Sequence, residues 1–519
     1  MKTTESNPPS IRHWFPILRS YLAGGSTFLA WTSLTLASRI LRTIFSLAAG
    51  GFITVIVITI YSLNARPDLS IWHTIDLKGD YTADSDVDSF EDYLALEERL
   101  FQELQTKVYQ VTEPGGPHVL NRYRTGSPAD PGTQKINWNR TFEQPALTAP
   151  TAGVLLLHGM SDSPYSMRSL GEAIHGNGAY VIGLRLPGHG TLPSGLTSFE
   201  WEDMAAAVEL AMRHLKEKIG DRPLYIVGYS NGGALAVHYA LESLLDESLP
   251  PPKGIVLLSP SIGVSPMAAF AVWQSRLGAV LGLDKLAWKS ILPEYDPYKY
   301  VSFAINAGHQ VYRLTNEISR DLDRLSGTGK LEHFPPVLAF QSVVDATVST
   351  PALIEGLFAK LPSDRNELVL FDFNRVGIIE SLIQNDPKEK LTSLVKSTDK
   401  PFSISLLCNR DNTDLSMEIR YYPKERTGSV VSDPGLSWPE GIYSLSHVAL
   451  PFPPDDPLYG NGLGLDKRGA VYQIGNINLR GEKDVLPISP VDQLRLRWNP
   501  FYSYLQKRVL AFTGEGLHP

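Results

Sequence analysis

The chain has 519 residues, 43% of them hydrophobic and 20% charged, a composition that can build a core and is not that of a disordered chain. A formal net charge of −8 offers no basic face, so no nucleic-acid partner is expected. Cys408 is the one cysteine, which excludes an intramolecular disulfide framework; the twelve histidines show no cluster at metal-ligand spacing, so neither a metal nor an organic cofactor is expected.

Residues 1–43 precede an apolar stretch, Ile44 to Leu63, that carries no charged residue over 20 positions. At about 1.5 Å rise per residue it is roughly 30 Å long, the thickness of a hydrocarbon core, and predicts a transmembrane helix over 44–63. A cleaved signal peptide fits poorly, since no clean small-residue cleavage site follows. Lys2, Arg12, Arg19, Arg39 and Arg42 lie before the stretch against Glu5 alone, whereas Asp68, Asp76, Asp80, Asp84, Asp86 and Asp88 follow it against Arg66 and Lys78. This bias puts 1–43 in the cytoplasm and the large remainder across the membrane. A second uncharged stretch, Tyr21 to Ser38, is less hydrophobic and reads as interfacial or helix-extending.

Residues 64–117 read as a stalk and a docking helix. Pro67 to Asp92 is acidic and irregular, Glu91 to Tyr109 has apolar residues at helical spacing, and Pro114-Gly115-Gly116-Pro117 ends it. Strands are expected around Leu120–Arg124 and Ile136–Phe142, with a turn-rich segment between them. Asn139-Arg140-Thr141 fits a glycosylation sequon and is taken as accidental.

From Gly153 the pattern changes. Apolar runs of strand length (GVLLLHG, AYVIGLRLPG, LYIVGYS, GIVLLSP, VLAFQSVVD and ELVLFDF) alternate with helical stretches such as 166–175, 199–219 and 232–245. Continuous apolar strands alternating with helices predict an α/β domain over 118–519, with a mainly parallel sheet covered by helices. In such sheets the working groups gather at the carboxyl ends of the strands.

Gly228-Tyr229-Ser230-Asn231-Gly232-Gly233 falls between the apolar run LYIV and a helical stretch. G-x-S-x-G is common by chance, but between a strand and a helix it marks a sharp turn that lifts a nucleophilic hydroxyl to the sheet edge. A second oxyanion donor must come from a loop after an earlier strand. His158-Gly159-Met160-Ser161 stands there, so the backbone amides of Met160 and Asn231 are the expected oxyanion hole. His158 and His189 are read as shaping their loops. The fold's chain order is serine, acid, histidine. Asp345 follows VLAFQS and takes the acid slot, with Asp372 as a substitute; His447 is the base, since His518 near the C-terminus is the only other histidine after Asp345.

The pieces LLLHGMSDSPYSM, GLRLPGHGT, IVGYSNGGALA, SVVDATV and SLSHVALPFPPDDPLYG resemble the bacterial monoacylglycerol lipase and carboxylesterase branch of the α/β-hydrolases, which includes lysophospholipase-like and S33-type sequences. The likeness covers about 150–450, and RPDLSIWHTIDL is similar to a segment of membrane-anchored bacterial hydrolases. It implies an α/β-hydrolase fold with a helical cap, a triad of Ser230, Asp345 and His447, and oxyanion positions at Met160 and Asn231. The cap is expected over about 262–334, where Met267, Phe270, Trp273, Leu277, Leu281, Leu283 and Trp288 would suit an acyl chain. The long span between Asp345 and His447 departs from the compact relatives, so about 375–441 is expected to be an insertion with strands FSISLLC and SMEIRYY, able to shape the entrance or bind a protein partner.

The expected reaction is hydrolysis of a small-molecule or lipid-like, medium-chain carboxylic ester through an acyl-serine. The expected setting is single-pass in a bacterial inner membrane, with the catalytic domain on the periplasmic side. A peptidase or amidase, or an acyltransferase, on the same triad is the alternative; a catalytically dead scaffold is disfavoured by the presence of all three triad types in order.

Overall fold

A computed structural model of the chain describes residues 39–112 (apart from 52, 55 and 56), 120–263, 283–362, 365–376, 386–397, 400–424, 428–462, 473–475 and 494–514. Residues up to Pro67 and those from Asp68 onward form two units. In the first, the described positions from 39 to 64 are helical and leave Ile44, Phe45, Leu47, Ile53, Val57, Ile58 and Ile60 exposed. The spanning helix expected over 44–63 gains no support: it falls partly outside the described residues, and no helix among those described is long and apolar enough to cross a membrane.

In the second unit the strands are apolar on both faces because both faces are covered. The sheet is built from β1 (Phe142–Gln144), β2 (Gly153–Leu157), β3 (Tyr180–Leu184), β4 (Leu224–Tyr229), β5 (Gly254–Leu258), β6 (Val337–Ser342), β7 (Glu367–Phe371), β8 (Ser403–Asn409), β9 (Met417–Tyr422) and β10 (Val430–Ser432). Their order is β1-β3-β2-β4-β5-β6-β7-β8-β9-β10; every pairing from β3 to β8 is parallel, and both ends of the sheet are antiparallel. Side chains of a strand alternate between faces, so Leu155, Leu157, Ile182, Ile226 and Ile255 enter one core with α3 (Trp201–Ile219) and α4 (Asn231–Glu242). Val154, Leu156, Val181, Val227 and Val256 enter the other, against α2 (Tyr165–Gly176) and α6 (Tyr502–Gly514). Each such buried aliphatic side chain contributes roughly 1.5–3 kcal/mol.

The segment after Asp68 packs against this body. Helix α1 (Phe90–Leu104) starts at Ser89, whose hydroxyl accepts from the Asp92 amide, and it buries Phe90, Tyr93, Leu100, Phe101 and Leu104. Leu120–Arg124 is a set of turns instead of the expected strand. There the Asn121 side chain accepts from the Tyr123 amide, and the Arg122 amide is drawn away to Glu294 O. Of 136–142 only the last residue joins a strand. Asn139 is buried, and its carboxamide is occupied by Arg122, Asn137 and Pro297, so the sequon offers no free amide.

The expected cap is described only in part. Of the cap, 264–282 lies outside the described residues, together with Met267, Phe270, Trp273, Leu277 and Leu281. The part that is described belongs to the body: Trp288 is 1% exposed within the main core, and α5 (Ile305–Leu325) turns Ala307, Leu314, Ile318, Leu322 and Leu325 into it at helical spacing. The segment 375–441 forms both strands expected in it. Its strands extend the central sheet, β8 pairing parallel with β7 and β9 folding back on β8. Nearly all of β8 is buried, which its apolar sequence SISLLC requires.

Candidate active site

Strand β4 delivers Ser230 to the carboxyl edge of the sheet at φ 54°, ψ −116°, a conformation that a non-glycine residue holds only where its surroundings enforce it. The Ser230 amide donates to Leu258 O at 2.9 Å, and its carbonyl accepts from Ser261 N, also at 2.9 Å. The turn closes so tightly that a Cβ on Gly228 would lie 2.3 Å from Gly232 O, and one on Gly232 would lie 2.3 Å from Leu157 O. Only glycine fits both places.

The imidazole arrives from 217 positions downstream. His447 Nε2 lies 3.1 Å from Ser230 Oγ, and its Nδ1 lies 2.9 Å from Asp345 Oδ2. With Nδ1 protonated toward the carboxylate, Nε2 is left as the acceptor for the serine hydroxyl. Asp345 Oδ1 accepts from the amides of Thr347 at 2.7 Å and Val348 at 3.0 Å, while Gln341 Nε2 donates to Oδ2. Burial opposes ionisation of Asp345, but the bond from His447 and those backbone donors outweigh it and hold the carboxyl below its ordinary range.

Asp372, the substitute acid, is turned elsewhere. It pairs with Arg375 Nε at 2.5 Å and does not meet His447. His447 opens a short 3-10 turn, and its ring lies against the Tyr229 ring with centroids 5.4 Å apart. The loop leading to it is tied to the end of β7: the Asn374 amide donates to Tyr443 O at 2.7 Å, and Asn374 Nδ2 to Ile442 O at 3.0 Å.

Of the two expected oxyanion donors, Asn231 directly follows the serine, and Met160 follows Gly159, which packs against Ser230. Asn231 opens α4, and neither its N–H nor that of Met160 donates to an acceptor among the described residues. A helix N-terminus supplies unpaired N–H groups and partial positive charge at that point. His158 and His189 hold the surrounding loops. His158 Nδ1 donates to Gly159 O at 2.9 Å and Nε2 accepts from the Leu186 amide at 3.1 Å, which fixes its tautomer. His189 Nδ1 donates to Pro187 O, and its Nε2 rests 3.3 Å from Met160 Sδ. Burial drives both imidazoles toward the neutral form, His189 to about 4.

One residue of the site was not anticipated. Ser261, just beyond β5, places its hydroxyl 3.3 Å from Ser230 Oγ. Its signal in the sequence is position alone, at the carboxyl end of a strand adjacent to β4.

A family model described as serine aminopeptidase, S33 matches residues 148–373, a stretch that holds Ser230 and Asp345 and ends before His447. The chain is also 29% identical over 217 residues to a thermostable monoacylglycerol lipase of Bacillus sp. strain H-257, covering 42% of this chain and 79% of that one. The chain is a hydrolase of the α/β type. Solved structures similar to it include a Paleococcus ferrophilus monoacylglycerol lipase, at TM-score 0.34 and 21% identity over 45% of this chain and 88% of that one. A soluble variant of the Saccharomyces cerevisiae monoglyceride lipase gives TM-score 0.34 and 16% identity over 45% and 82%.

Proposed function

We propose that the chain hydrolyses carboxylic esters through an acyl-serine, with Ser230 as nucleophile, His447 as base and Asp345 as the acid that orients it. The observation that carries this reading is the line of contacts from Ser230 Oγ through His447 to Asp345. As Oγ adds to the carbonyl carbon, His447 Nε2 takes the hydroxyl proton, and the negative charge moves to the carbonyl oxygen. The amides of Met160 and Asn231 receive that oxygen. When the C–O bond to the alcohol breaks, His447 returns the proton to the leaving oxygen. Water then enters and loses a proton to the same nitrogen as it attacks the acyl-serine; the acid departs and Ser230 regains its hydrogen.

A lipid-like or medium-chain acyl group is favoured by two things: the likeness to a monoacylglycerol lipase and the apolar content of 264–282. Each methylene removed from water contributes about 0.8 kcal/mol to binding. The uncharged stretch 44–63 supports single-pass attachment to a bacterial inner membrane with the catalytic residues on the periplasmic side. Release of the full chain from membranes by alkaline carbonate, without detergent, would remove that part of the reading.

The test of the chemistry is Ser230→Ala. Hydrolysis of p-nitrophenyl esters from acetate to palmitate and labelling by a fluorophosphonate should both vanish; full labelling of the variant overturns the assignment. The description borne by the matching family model favours one rival, a peptidase on the same three residues. Esters and amides of one acyl group, compared side by side, separate the two.

A further inference from the structure

Helix α4 begins at the nucleophile and carries a second group of polar side chains on its far half. His238 and Glu242 are four residues apart and therefore share a face. Helix α5 packs alongside and brings Asp321 to the same point, so that one ligand atom from each of the three lies within 4.8 Å of those of the others.

The group is not a solvated acidic patch. His238 is 8% and Asp321 3% exposed, and Glu242 is half-buried. His238 Nδ1 and Asp321 Oδ2 are fully buried, and among the described residues neither has a hydrogen-bond partner. Leaving such an atom unsatisfied is unfavourable, and more so when the group is charged. Here an imidazole and a carboxylate are left so in the same spot, and no ion pair among the described residues relieves either acid. Burial pushes His238 down to about 4, which keeps the imidazole neutral with a free lone pair. Burial raises both carboxyls; the charge of Asp321 raises Glu242 further and that of Glu317 raises Asp321, and Arg324 offsets this only in part.

We propose that His238, Glu242 and Asp321 bind a divalent transition-metal ion of the zinc class. One imidazole and two carboxylates make a mixed nitrogen and oxygen donor set suited to such ions, with a fourth position left for water. Calcium asks for six or more oxygens, which these residues do not supply. The ion clamps α4 to α5. It stands about 10 Å along α4 from Asn231, at seven residues of 1.5 Å each, and takes no part in chemistry at Ser230.

The full chain, freed of metal by a chelator and dialysed, is titrated with Co2+ and with Zn2+. One ion per chain is expected, with a visible d–d absorption band for Co2+ and a higher thermal midpoint with either ion. Glu242→Gln, the least buried change, should weaken binding by more than about tenfold, as should His238→Gln and Asp321→Asn. The far-ultraviolet dichroism of Glu242→Gln identifies the folded state, so one informative variant survives even if the buried pair destabilises the chain. Absence of stoichiometric binding at millimolar ion, unchanged affinity in folded Glu242→Gln, or tighter binding of Ca2+ than of Zn2+ overturns the proposal. Ester hydrolysis is not the readout, so the outcome is independent of the assignment of Ser230.

Discussion

Asp345 and Asp372 stand at the carboxyl ends of neighbouring strands, and what faces each decides between them. Asp345 meets His447 Nδ1 and two backbone amides, whereas Asp372 meets the guanidinium of Arg375. Asp345→Asn is expected to lower kcat by about 10⁴-fold with little change in KM, because an amide can hold the imidazole in the wrong tautomer. Asp372→Asn should leave kcat within severalfold of the parent; steady-state kinetics on one p-nitrophenyl ester compares the two. The carboxyl of Asp345 is held below its ordinary value of 3.8 in the folded chain. Its contribution to stability is therefore complete above that value and is lost as pH falls through the lower folded value. Urea unfolding of parent and Asp345→Asn, from neutrality into the acid range, should show a difference that shrinks with acidity. A difference independent of pH would contradict this.

At the scale of elements, two kinds of feature build the site. The turn at Ser230 is local, and its glycines and strained serine stand next to one another in sequence. The placement of His447 is not local. After β7 the chain runs through the β8–β9 hairpin before returning, and Asn374 is the point where the returning loop is fastened. Asn374 also holds Asn409 Nδ2 at the end of β8, so it joins strand, hairpin and loop. Asn374→Ala removes side-chain bonds worth about 1 kcal/mol each and should lower kcat roughly tenfold by loosening the base. Fluorophosphonate labelling should slow in parallel while the thermal midpoint moves little. A fall in activity and labelling accompanied by a large drop in the midpoint would mean a folding defect instead.

Across the whole catalytic unit, Arg185 fastens the 68–109 segment to the end of β3. It is fully buried after β3, with Nη2 2.9 Å from Asp80, Nε 3.0 Å from Glu97 and Nη1 donating to His189 O. Tyr93 in α1 donates its hydroxyl to Arg185 O. Arg185→Met leaves two acids without a cation, one of them buried, and should cost about 3–5 kcal/mol in unfolding free energy. Limited proteolysis should then cut within 68–109 sooner than elsewhere; an unchanged unfolding midpoint would rule the clamp out.

What could be read from the chain alone is what rests on neighbours in sequence. Apolar runs of strand length reveal the parallel sheet, and G-Y-S-N-G between strand and helix marks the elbow. Asp345 and His447 follow from the order in which this fold supplies its acid and base. Even the helical spacing of His238 and Glu242 is legible, though not that it meant anything without Asp321. That partner, the fusion of 375–441 with the central sheet, the packing of Trp288 and α5 into the body, and the choice of Arg185 as a clamp depend on side chains brought together across tens to hundreds of positions. Charges and lone pairs act through space over a few ångströms, so the chain's folding, not its local pattern, decides which of them are paired and which are left waiting for a partner.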